Sequence, residues 1–379
     1  MAQNVTAIIG ALAFASSVVH AVNIHCRKPS GEVGAAFALT NAPDDNKVIA
    51  FSRDRTGKLT QTGEYSTGGK GQGVDFDTQG GLQLSRDHRF LYAISPSDDR
   101  VSVFSVSGSC LERIQVIYGG DQPLSITLNE RFAYVLDGSV ATTGIRGYEV
   151  GRDGKLAAIG NTTIPTSTPI GVPGTIQFSP DGKGLIVTNK VGSTIDFFNI
   201  DRNGEATGPI TISASSGNRP FGAQFREDGT LFVVESGLPV FTNAAVSTYH
   251  VDTSTGALKP ITKSEKNQQT DGCWVILAGR KQQFAFTANF VSGTIASYTV
   301  SPNGAVSILK DVAANPGIDS NPVDLAVSAD GAFLYDLLRG TGAVQGWAVE
   351  NDGSLRNLGV FGRGQGLPVN NGASGLTAF

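Results

Sequence analysis

The feature that most constrains this chain of 379 residues is a turn that returns about every fifty residues. In each copy an apolar residue follows the turn glycine within three positions, and these glycines are Gly57, Gly108, Gly154, Gly204, Gly256, Gly304 and Gly353. They stand 51, 46, 50, 52, 48 and 49 residues apart, and an aromatic residue precedes each of them by a few positions. A fixed period with strand-like units indicates a propeller or a β-solenoid, and the long loops with turn residues in each unit favour the propeller. We therefore predict an all-β fold, a seven-bladed β-propeller with four-stranded blades.

The two ends of the repeat region complement each other. The first unit has three strand-like runs, at 33–41, 47–54 and 58–66, and lacks an innermost strand. The final residues 372–379 resemble an innermost strand that has no blade of its own. We predict that this C-terminal strand completes the first blade, because closing the ring removes sheet edges that would otherwise aggregate.

The N-terminal residues have the pattern of a targeting segment. An apolar run of 13 residues at 7–19 is followed by Val19-His20-Ala21, which has the small residues of a cleavage site. We predict a signal peptide at 1–21, secretion, and a single propeller domain at 22–379. The alternative interpretation is a buried N-terminal strand. The run is too short for a membrane span, and nothing else in the chain is long and apolar enough for one.

Composition and cysteine content exclude several classes of function. A net charge of −4 with scattered Lys and Arg argues against nucleic acid as a partner. The chain lacks His or Cys pairs at metal-ligand spacing and has no nucleotide-binding glycine motif, so we expect neither a metal nor a cofactor. Of the three cysteines, Cys26 and Cys110 are expected to form a disulfide, and Cys273 is expected to be a buried free thiol. Asn161 begins a glycosylation sequon.

A recurring phrase in the inner half of each unit gives a family resemblance. It reads Leu-Ser-Arg-Asp at 84–87, Phe-Ser-Pro-Asp-Gly at 178–182 and Val-Ser-Ala-Asp-Gly at 327–331. This phrase resembles the lactonase family of seven-bladed propellers, which includes carboxymuconate-lactonizing enzymes and 6-phosphogluconolactonases. The resemblance implies chemistry without a metal or nucleotide, performed by Arg, His and Glu around the axis on one face. The family motif Arg-Pro-His-His or Arg-Pro-Arg-His reads Arg219-Pro220-Phe221-Gly222 here, so the arginine is kept and the histidine is absent.

Propeller geometry predicts where a ligand site lies. Residues just before the innermost strand and just after the second strand of each blade meet at the mouth of the central channel. These positions are Gln122, Arg219, Asp271 and Asn321 in the first set, and Asn41, Asp137, Asn189, Lys190, Glu235, Asn289 and Arg339 in the second. The alternative is that they cap strand ends and contact water.

Two of these residues are the predicted catalytic pair. Arg219 and Glu235 come from adjacent strands of one blade, so Arg219 is expected to hold an anionic oxygen and Glu235 to act as general acid or base. Phe221, Trp274 and Phe290 are expected to form an apolar rim that binds substrate, unless they only fill space between blades.

The resemblance extends to divergent fungal members of the family, which include secreted cell-wall glycoproteins and hetero-Diels–Alderases of secondary metabolism. With the signal segment and the missing histidine, it favours a cofactor-free ring-forming cyclase or isomerase, for example one that combines dehydration with a hetero-Diels–Alder cycloaddition. The expected substrate is a small apolar or aromatic molecule with an acidic oxygen, bound by a monomer. The alternatives are a lactone hydrolase and a non-enzymatic cell-wall or adhesive glycoprotein.

Overall fold

A computed structural model describes residues 26, 28–139, 143–160, 162–168 and 172–379. The predicted signal peptide at 1–21 and the predicted glycosylation site Asn161 lie outside the described residues. The described chain forms seven antiparallel sheets, each a blade of the propeller. The predicted all-β, seven-bladed fold is therefore confirmed.

The strands are short and follow one another as antiparallel neighbours. The first blades contain β1 (Gly34–Leu39), β2 (Lys47–Arg53), β3 (Leu59–Ser66), β4 (Leu82–Leu84), β5 (Phe90–Ser95), β6 (Arg100–Ser107), β7 (Cys110–Tyr118), β8 (Pro123–Leu128), β9 (Phe132–Asp137), β10 (Gly144–Val150), β11 (Leu156–Ala158) and β12 (Ile164–Pro165). The middle blades contain β13 (Pro173–Phe178), β14 (Gly184–Asn189), β15 (Thr194–Ile200), β16 (Ala206–Ala214), β17 (Pro220–Phe225), β18 (Thr230–Glu235), β19 (Ala245–Asp252) and β20 (Ala257–Lys266). The last blades and the closing strand are β21 (Gly272–Ala278), β22 (Phe284–Asn289), β23 (Thr294–Val300), β24 (Val306–Ala314), β25 (Pro322–Val327), β26 (Phe333–Leu338), β27 (Ala343–Val349), β28 (Leu355–Phe361) and β29 (Leu376–Ala378).

Within a blade the strands run outward from the axis in chain order. The second blade is β4-β5-β6-β7, and the fourth to seventh blades repeat this order from β13 to β28. In the third blade the outer strand is divided into two short pieces, β11 and β12, which both pair with β10. A 3₁₀ turn at Ile318–Ser320 lies between the sixth and seventh blades.

The C-terminal strand closes the ring as the sequence predicts. The first blade has the order β29-β1-β2-β3, so its innermost strand comes from the end of the chain. Phe37 pairs with Thr377 in this ladder, and the Phe379 N–H donates to the Ala35 carbonyl at 2.9 Å. The guanidinium of Arg53 also donates to the Phe379 carbonyl at 3.1 Å.

Burial explains the difference between inner and outer strands in the sequence. All six residues of β14 are buried, whereas the outer strand β16 of the same blade contains only half-buried and exposed residues. A strand that is covered on both faces needs continuous apolar or hydrogen-bonded side chains, while an outer strand presents polar residues to solvent. The core accordingly follows the inner strands around the ring.

Neighbouring blades are joined by a hydrogen bond that starts from a recurring tyrosine. Phe-x-Tyr begins the second strand of three blades and ends in Tyr92, Tyr134 and Tyr335. Their hydroxyls donate at 2.8, 2.6 and 2.8 Å to the carbonyls of the turn glycines Gly154, Gly204 and Gly57 in the next blade. A Cβ on Gly154 would lie 2.3 Å from the ring of Phe90, and its φ of 79° is in the left-handed region. The repeated glycine therefore serves both the turn and the contact between blades.

The cysteines are arranged as a pair and a single thiol. Cys26 and Cys110 form a disulfide with a Cα–Cα distance of 5.6 Å, which ties the start of the described chain to the second blade. Cys273 is a free, buried thiol on β21. Burial raises the pKa of this thiol well above its usual value, so it does not supply a reactive thiolate.

Two buried carboxyl groups lie where the seventh blade meets the closing strand. Asp324 on β25 accepts hydrogen bonds from the Gly375 N–H at 2.5 Å and from the Ser374 hydroxyl at 3.4 Å. Both oxygens of Asp336 on β26 are buried and have no hydrogen-bond partner among the residues that the structure describes. Burial raises the pKa of Asp324 to about 7, and burial together with the Asp324 charge raises that of Asp336.

We expect removal of residues 372–379 to open the ring. The first blade would lose its inner strand and expose the edge of β1, so the protein should aggregate or unfold at a temperature lower by roughly 10 °C or more. Thermal unfolding and size-exclusion chromatography measure this, with Thr377→Ala as a control that keeps the strand backbone. A truncated chain that remains monomeric and melts like the parent would contradict the role of β29.

The buried carboxyls predict that stability falls as pH rises. The folded-state pKa of Asp324, about 7, lies above the ordinary value of 3.8. Its stabilising contribution is therefore complete below about pH 3.8 and is lost as the pH rises through about 7, a difference on the order of 2–4 kcal/mol. Melting temperatures between pH 4 and pH 8 should fall less steeply in Asp324→Asn than in the parent. Asp352→Asn, which removes an exposed carboxyl, should keep the parental slope. Equal slopes in all three proteins would refute the assignment.

Candidate functional site

The residues that precede the innermost strands share an unusual backbone conformation. Gln122, Arg219, Asp271 and Asn321 have φ values of 61°, 56°, 62° and 46°, all in the left-handed region. Non-glycine residues adopt this region infrequently, and it recurs at sites where the surrounding structure holds them. These four residues therefore mark one structurally equivalent position at the mouth of the channel.

The residues that end the second strands have side chains within the blades. Asp137, Asn189, Glu235 and Asn289 each pair with the first residue of the inner strand. Because successive strand residues point to opposite faces, the residue that follows each of them faces the other way. Lys190, which follows Asn189, has its ammonium group against the Asp77 carboxylate. Arg339, which follows the equivalent residue Leu338 of the seventh blade, pairs with the Asp75 carboxylate.

Glu235 is one of the strand-end residues whose side chains lie within the blades. Its carboxylate is 1% exposed and accepts hydrogen bonds from the Ser215, Ser247 and Ser264 hydroxyls at 3.2, 2.6 and 2.6 Å and from the Gly217 N–H at 2.8 Å. In the described part of the chain no ion pair joins it to Arg219, so the pair expected from the sequence is not formed. Glu235 instead links the outer strands of its own blade.

The other members of this set are bonded in the same manner. The Asn189 amide donates to Thr194 Oγ1 at 3.3 Å, and the Asn289 carbonyl oxygen accepts from Asn267 at 3.0 Å. Asp137 accepts from the Asp121 N–H at 2.8 Å, and burial raises its pKa to about 7. These three side chains therefore act within the blades, as strand-end caps. The remaining early candidate, Gln122, is held through its backbone N–H, which donates to Asp99 at 2.9 Å.

Lys190 is the best-defined cation at the mouth. Its side chain is completely buried, and its ammonium group contacts the Asp77 carboxylate at 2.6 Å and lies 4.0 Å from the centre of the Phe221 ring. Burial lowers the pKa of Lys190, while Asp77 acts in the opposite direction. The ammonium thus has a carboxylate on one side and an aromatic face on the other.

Arg339 is the second paired cation. Its Nη1 forms an ion pair with the Asp75 carboxylate, and its guanidinium carbon lies 4.4 Å from the centre of the half-buried Phe290 ring. The arrangement repeats that of Lys190, with a carboxylate and an aromatic ring as partners. Of the predicted apolar residues, Phe290 is the one that stays at the surface of the mouth.

Phe221 and Trp274 lie beneath the mouth rather than on its rim. Each is 1% exposed, and their ring centroids are 5.2 Å apart. Both belong to the large apolar core that extends through the fifth, sixth and seventh blades. They support the site by packing, because neither ring reaches solvent.

Arg219 and Asp271 lie near each other at the mouth. Arg219 makes no ion pair in the described part of the chain, and its Nε is buried without a hydrogen-bond partner. Asp271 lies close by, and its carboxyl pKa is raised, first by burial and further by the charge of Asp77. Arg219, Ser236 and Cys273 act on that pKa in the opposite direction. A guanidinium that forms no ion pair among the described residues therefore lies near a carboxyl group whose pKa is raised by burial.

Asp75 and Asp77 are the site residues that sequence reasoning missed. They lie in residues 67–81, the connection between β3 and β4, which is longer than the four to seven residues that separate several other blades. A long loop of this kind in a compact fold is frequently functional, and its Asp-Phe-Asp sequence offered a second signal.

The same connection explains the missing histidine of the family motif. Gly222 stands at the position of the final histidine, and a Cβ there would lie 1.9 Å from Oε1 of Gln79. The Gln79 side chain donates to the Val275 carbonyl at 3.2 Å and accepts from the Val275 N–H at 3.4 Å. Gln79 therefore occupies the space that a side chain at residue 222 would need.

Two surface cavities lie on the opposite face of the ring. One has a volume of about 560 Å³ between the hairpin turns at 226–228, 279–282 and 327–331, and the other about 220 Å³ beside the turn at 179–181. Within the described residues, no group of three or more His, Cys, Asp or Glu is placed to hold a metal ion. The part of the chain that the structure covers has no helix with the length and apolarity to cross a membrane.

Solved structures with the same architecture are numerous but distant in sequence. A protein from Lactobacillus plantarum superposes with a TM-score of 0.71 at 16% identity, covering 91% of this chain and 99% of that one. The periplasmic gluconolactonase of Pseudomonas aeruginosa gives a TM-score of 0.69 at 15% identity, with 91% and 98% covered. At these identities the likeness establishes the fold alone.

Sequence comparison identifies the family. A curated 6-phosphogluconolactonase from Erwinia tasmaniensis is 25% identical over 169 residues, which is 44% of this chain and 48% of that protein. This chain thus matches about half the length of that relative. The sequence model of the lactonase family with a seven-bladed β-propeller matches residues 44–172 and 224–323, more than half of the chain. The protein therefore belongs to the lactonase family of seven-bladed β-propellers.

Proposed function

We propose that this protein is a lactonase-type enzyme that opens the ring of a small lactone at the axial mouth. The observation that carries the proposal is Arg219, whose buried Nε has no partner, beside Asp271, whose carboxyl pKa is raised by burial. Lactone hydrolysis needs these two functions, a cation for the carbonyl oxygen and a base for water. The predicted signal peptide leads us to propose that the enzyme acts in the secretory pathway or outside the cell.

The proposed reaction uses residues of the mouth in defined roles. The lactone carbonyl oxygen binds to the Arg219 guanidinium, which stabilises the negative charge that develops on it. Asp271 accepts a proton from a water molecule, and the water oxygen forms a bond to the carbonyl carbon. The ring C–O bond then breaks, the proton passes from Asp271 to the departing alkoxide, and the product is a hydroxy acid. Phe290 and Arg339 form the edge against which the substrate packs.

Comparisons with named relatives support this class of reaction. The curated relative is named a 6-phosphogluconolactonase and one structural neighbour a gluconolactonase, and both names denote the opening of sugar lactones. Gly222 stands in place of the histidine of the family motif, and the Glu235 carboxylate already accepts four hydrogen bonds within the protein. We therefore assign the proton transfer to Asp271 rather than to a histidine or to Glu235.

Ring formation is the second candidate function, and Phe290 favours it. This half-buried aromatic ring lies 4.4 Å from the Arg339 guanidinium and offers an apolar surface beside the charged groups. In a cyclase, for example one that combines dehydration with a hetero-Diels–Alder addition, Asp271 would assist the loss of water and Arg219 would hold the developing oxyanion. Phe290 would orient the second reactant, since holding reactants in register accelerates such reactions without covalent chemistry. A non-enzymatic cell-wall or adhesive glycoprotein would show neither activity.

Substitution of the proposed pair tests the assignment. Asp271→Asn should lower kcat for lactone hydrolysis on the order of a hundredfold or more, because it removes the base. Arg219→Ala should lower kcat/KM by a similar factor, because the oxyanion loses its cation. Proton release from δ-valerolactone, glucono-δ-lactone and dihydrocoumarin measures both, with the exposed outer-strand variant Arg356→Ala as control. Parental rates in both site variants would rule out this site.

The same experiment separates Asp271 from Glu235. Glu235→Gln should lower the free energy of unfolding by about 1–3 kcal/mol, because an amide would face donors that now bond to the carboxylate. If Glu235→Gln keeps the parental melting temperature but loses turnover while Asp271→Asn stays active, the base is Glu235.

The pH profile offers an independent check. A base must be deprotonated, so kcat/KM should fall as the pH drops through the raised pKa of Asp271. The midpoint should therefore lie above the range of an ordinary aspartate. A profile that stays flat down to pH 4 would contradict the role of Asp271.

Phe290→Ala distinguishes hydrolysis from ring formation. It should change the hydrolysis of a small lactone less than threefold, because that substrate contacts Arg219 and Asp271. For ring formation between a tropolone and a terpene, Phe290→Ala should abolish product formation or stereochemical selectivity, because the second reactant loses the aromatic ring that orients it. Product analysis by chiral chromatography measures the second outcome.

A further inference from the structure

A segment at 74–79, here called the axial strap, lies across the mouth. The amide of Asn41 donates to the Val74 carbonyl at 2.7 Å and anchors its start in the first blade. Its end is held by the third and fourth blades, since Thr78 Oγ1 donates to the Leu124 carbonyl at 2.6 Å and the Gln79 N–H donates to the Gly174 carbonyl at 2.9 Å. The strap therefore joins the first blade to the inner strands of the third and fourth blades.

Gln79 makes the strap the floor of the mouth. Its backbone carbonyl accepts from Ser125 Oγ at 2.6 Å in the third blade, and its side chain bonds to Val275 in the sixth. One residue thus bridges the channel between inner strands of different blades. A ligand bound at Arg219 accordingly contacts the strap at the floor of the mouth.

The strap also supplies two of the charges of the site. Asp77 neutralises Lys190 at 2.6 Å, and Asp75 neutralises Arg339. The Asp77 N–H donates to Asp75 Oδ1 at 2.9 Å, which holds the two carboxylates in a fixed relation. Two of the three cations in the mouth are therefore already satisfied by this chain.

The charge balance that results is close to neutral. Lys190, Arg219 and Arg339 contribute three positive charges, whereas Asp75, Asp77 and Asp271 contribute up to three negative charges when ionised. A phosphate monoester carries nearly two negative charges at neutral pH, and it would meet one unpaired cation together with the two strap carboxylates. An uncharged ring needs only Arg219 at its carbonyl oxygen. Like charges at close range in a partly buried site disfavour the dianion strongly.

We propose that the strap carboxylates Asp75 and Asp77 set the charge selectivity of this site, so that it takes uncharged lactones and rejects phosphorylated ones. The proposal rests on the proposed lactonase function and names its substrate class. The strap acts as an internal anion that occupies the positions at Lys190 and Arg339 that a phosphate would need. Removing its charge converts those cations into a phosphate site.

The test compares glucono-δ-lactone with its 6-phosphate in the parent and in Asp75→Asn/Asp77→Asn. The parent should prefer the uncharged lactone, and the ratio of the two kcat/KM values should shift at least tenfold toward the phosphate in the variant. Asp153→Asn/Asp352→Asn changes the net charge equally at exposed turns and should keep the parental ratio. Asp75→Asn alone should shift the ratio in the same direction. The single variant replaces the double variant if the double variant does not fold. Asp75 pairs with Arg339, whose side chain is 13% exposed, whereas Asp77 pairs with the completely buried Lys190.

A binding measurement keeps the proposal independent of turnover. Inorganic phosphate should raise the melting temperature of the strap variants and leave the parent and the control variant unchanged. If the parent opens uncharged lactones but the strap variants keep the parental ratio and do not bind phosphate, the strap proposal is wrong and the lactonase function stands. If no lactone is opened by any of the proteins, the proposed function fails, and phosphate binding still decides the role of the strap. Preference of the parent for the phosphorylated lactone would also overturn the proposal.

Discussion

Closure of the ring by β29 is the interaction on which the rest of the structure depends. A blade buries its inner strands only against its neighbours, so a gap between the seventh and first blades would expose apolar residues and an unpaired edge. The ladder between β29 and β1 fills that gap, and Asp324 of the seventh blade holds the closing strand through the Gly375 N–H. The tyrosine-to-glycine hydrogen bonds also hold neighbouring blades together, and one of them joins Tyr335 of the seventh blade to Gly57 of the first. The mouth of the channel is a fixed site because this ring is closed.

The chemistry of the mouth comes from residues that lie far apart in the sequence. Lys190, Arg219, Asp271 and Arg339 belong to the fourth, fifth, sixth and seventh blades, and each stands beside the end of an inner or second strand. The connection at 67–81 brings Asp75 and Asp77 among them. Gln79 of this connection fills the space that a side chain at residue 222 would need, and the carboxylates of Asp75 and Asp77 neutralise two cations of the mouth. A single long loop therefore sets both the shape and the charge of this mouth.

Strand alternation decided which of the predicted site residues reach the mouth. The sequence placed both Asn189 and Lys190 there, but Asn189 donates to Thr194 within its own blade, whereas Lys190 pairs with Asp77 of the connection at 67–81. Glu235 has the attributes of a catalytic acid in the sequence, yet in the fold it accepts from four donors, two on the outer strands of its own blade and two in the connection at 215–219. Asp271 was expected to bind substrate, and burial raises the pKa of its carboxyl group. The sequence identified the strand ends at which these residues lie, whereas the direction of each side chain depended on a register that a shift of one residue would reverse.

By itself the sequence determined the fold class, the number of blades, the closing strand and the family, because these follow from a period and from turn residues that act locally. It also singled out Arg219 through a motif. The three-dimensional structure was needed to show that Phe221 and Trp274 are buried, that no ion pair joins Arg219 to Glu235 among the described residues, and that Asp75 and Asp77 neutralise Lys190 and Arg339. The last of these outcomes depends on contacts between residues more than one hundred positions apart, such as Asp77 with Lys190, and no local pattern encodes such a contact. The physical reason is that a charge or a ring acquires its role from what lies within a few ångströms, and in a propeller those neighbours come from other blades.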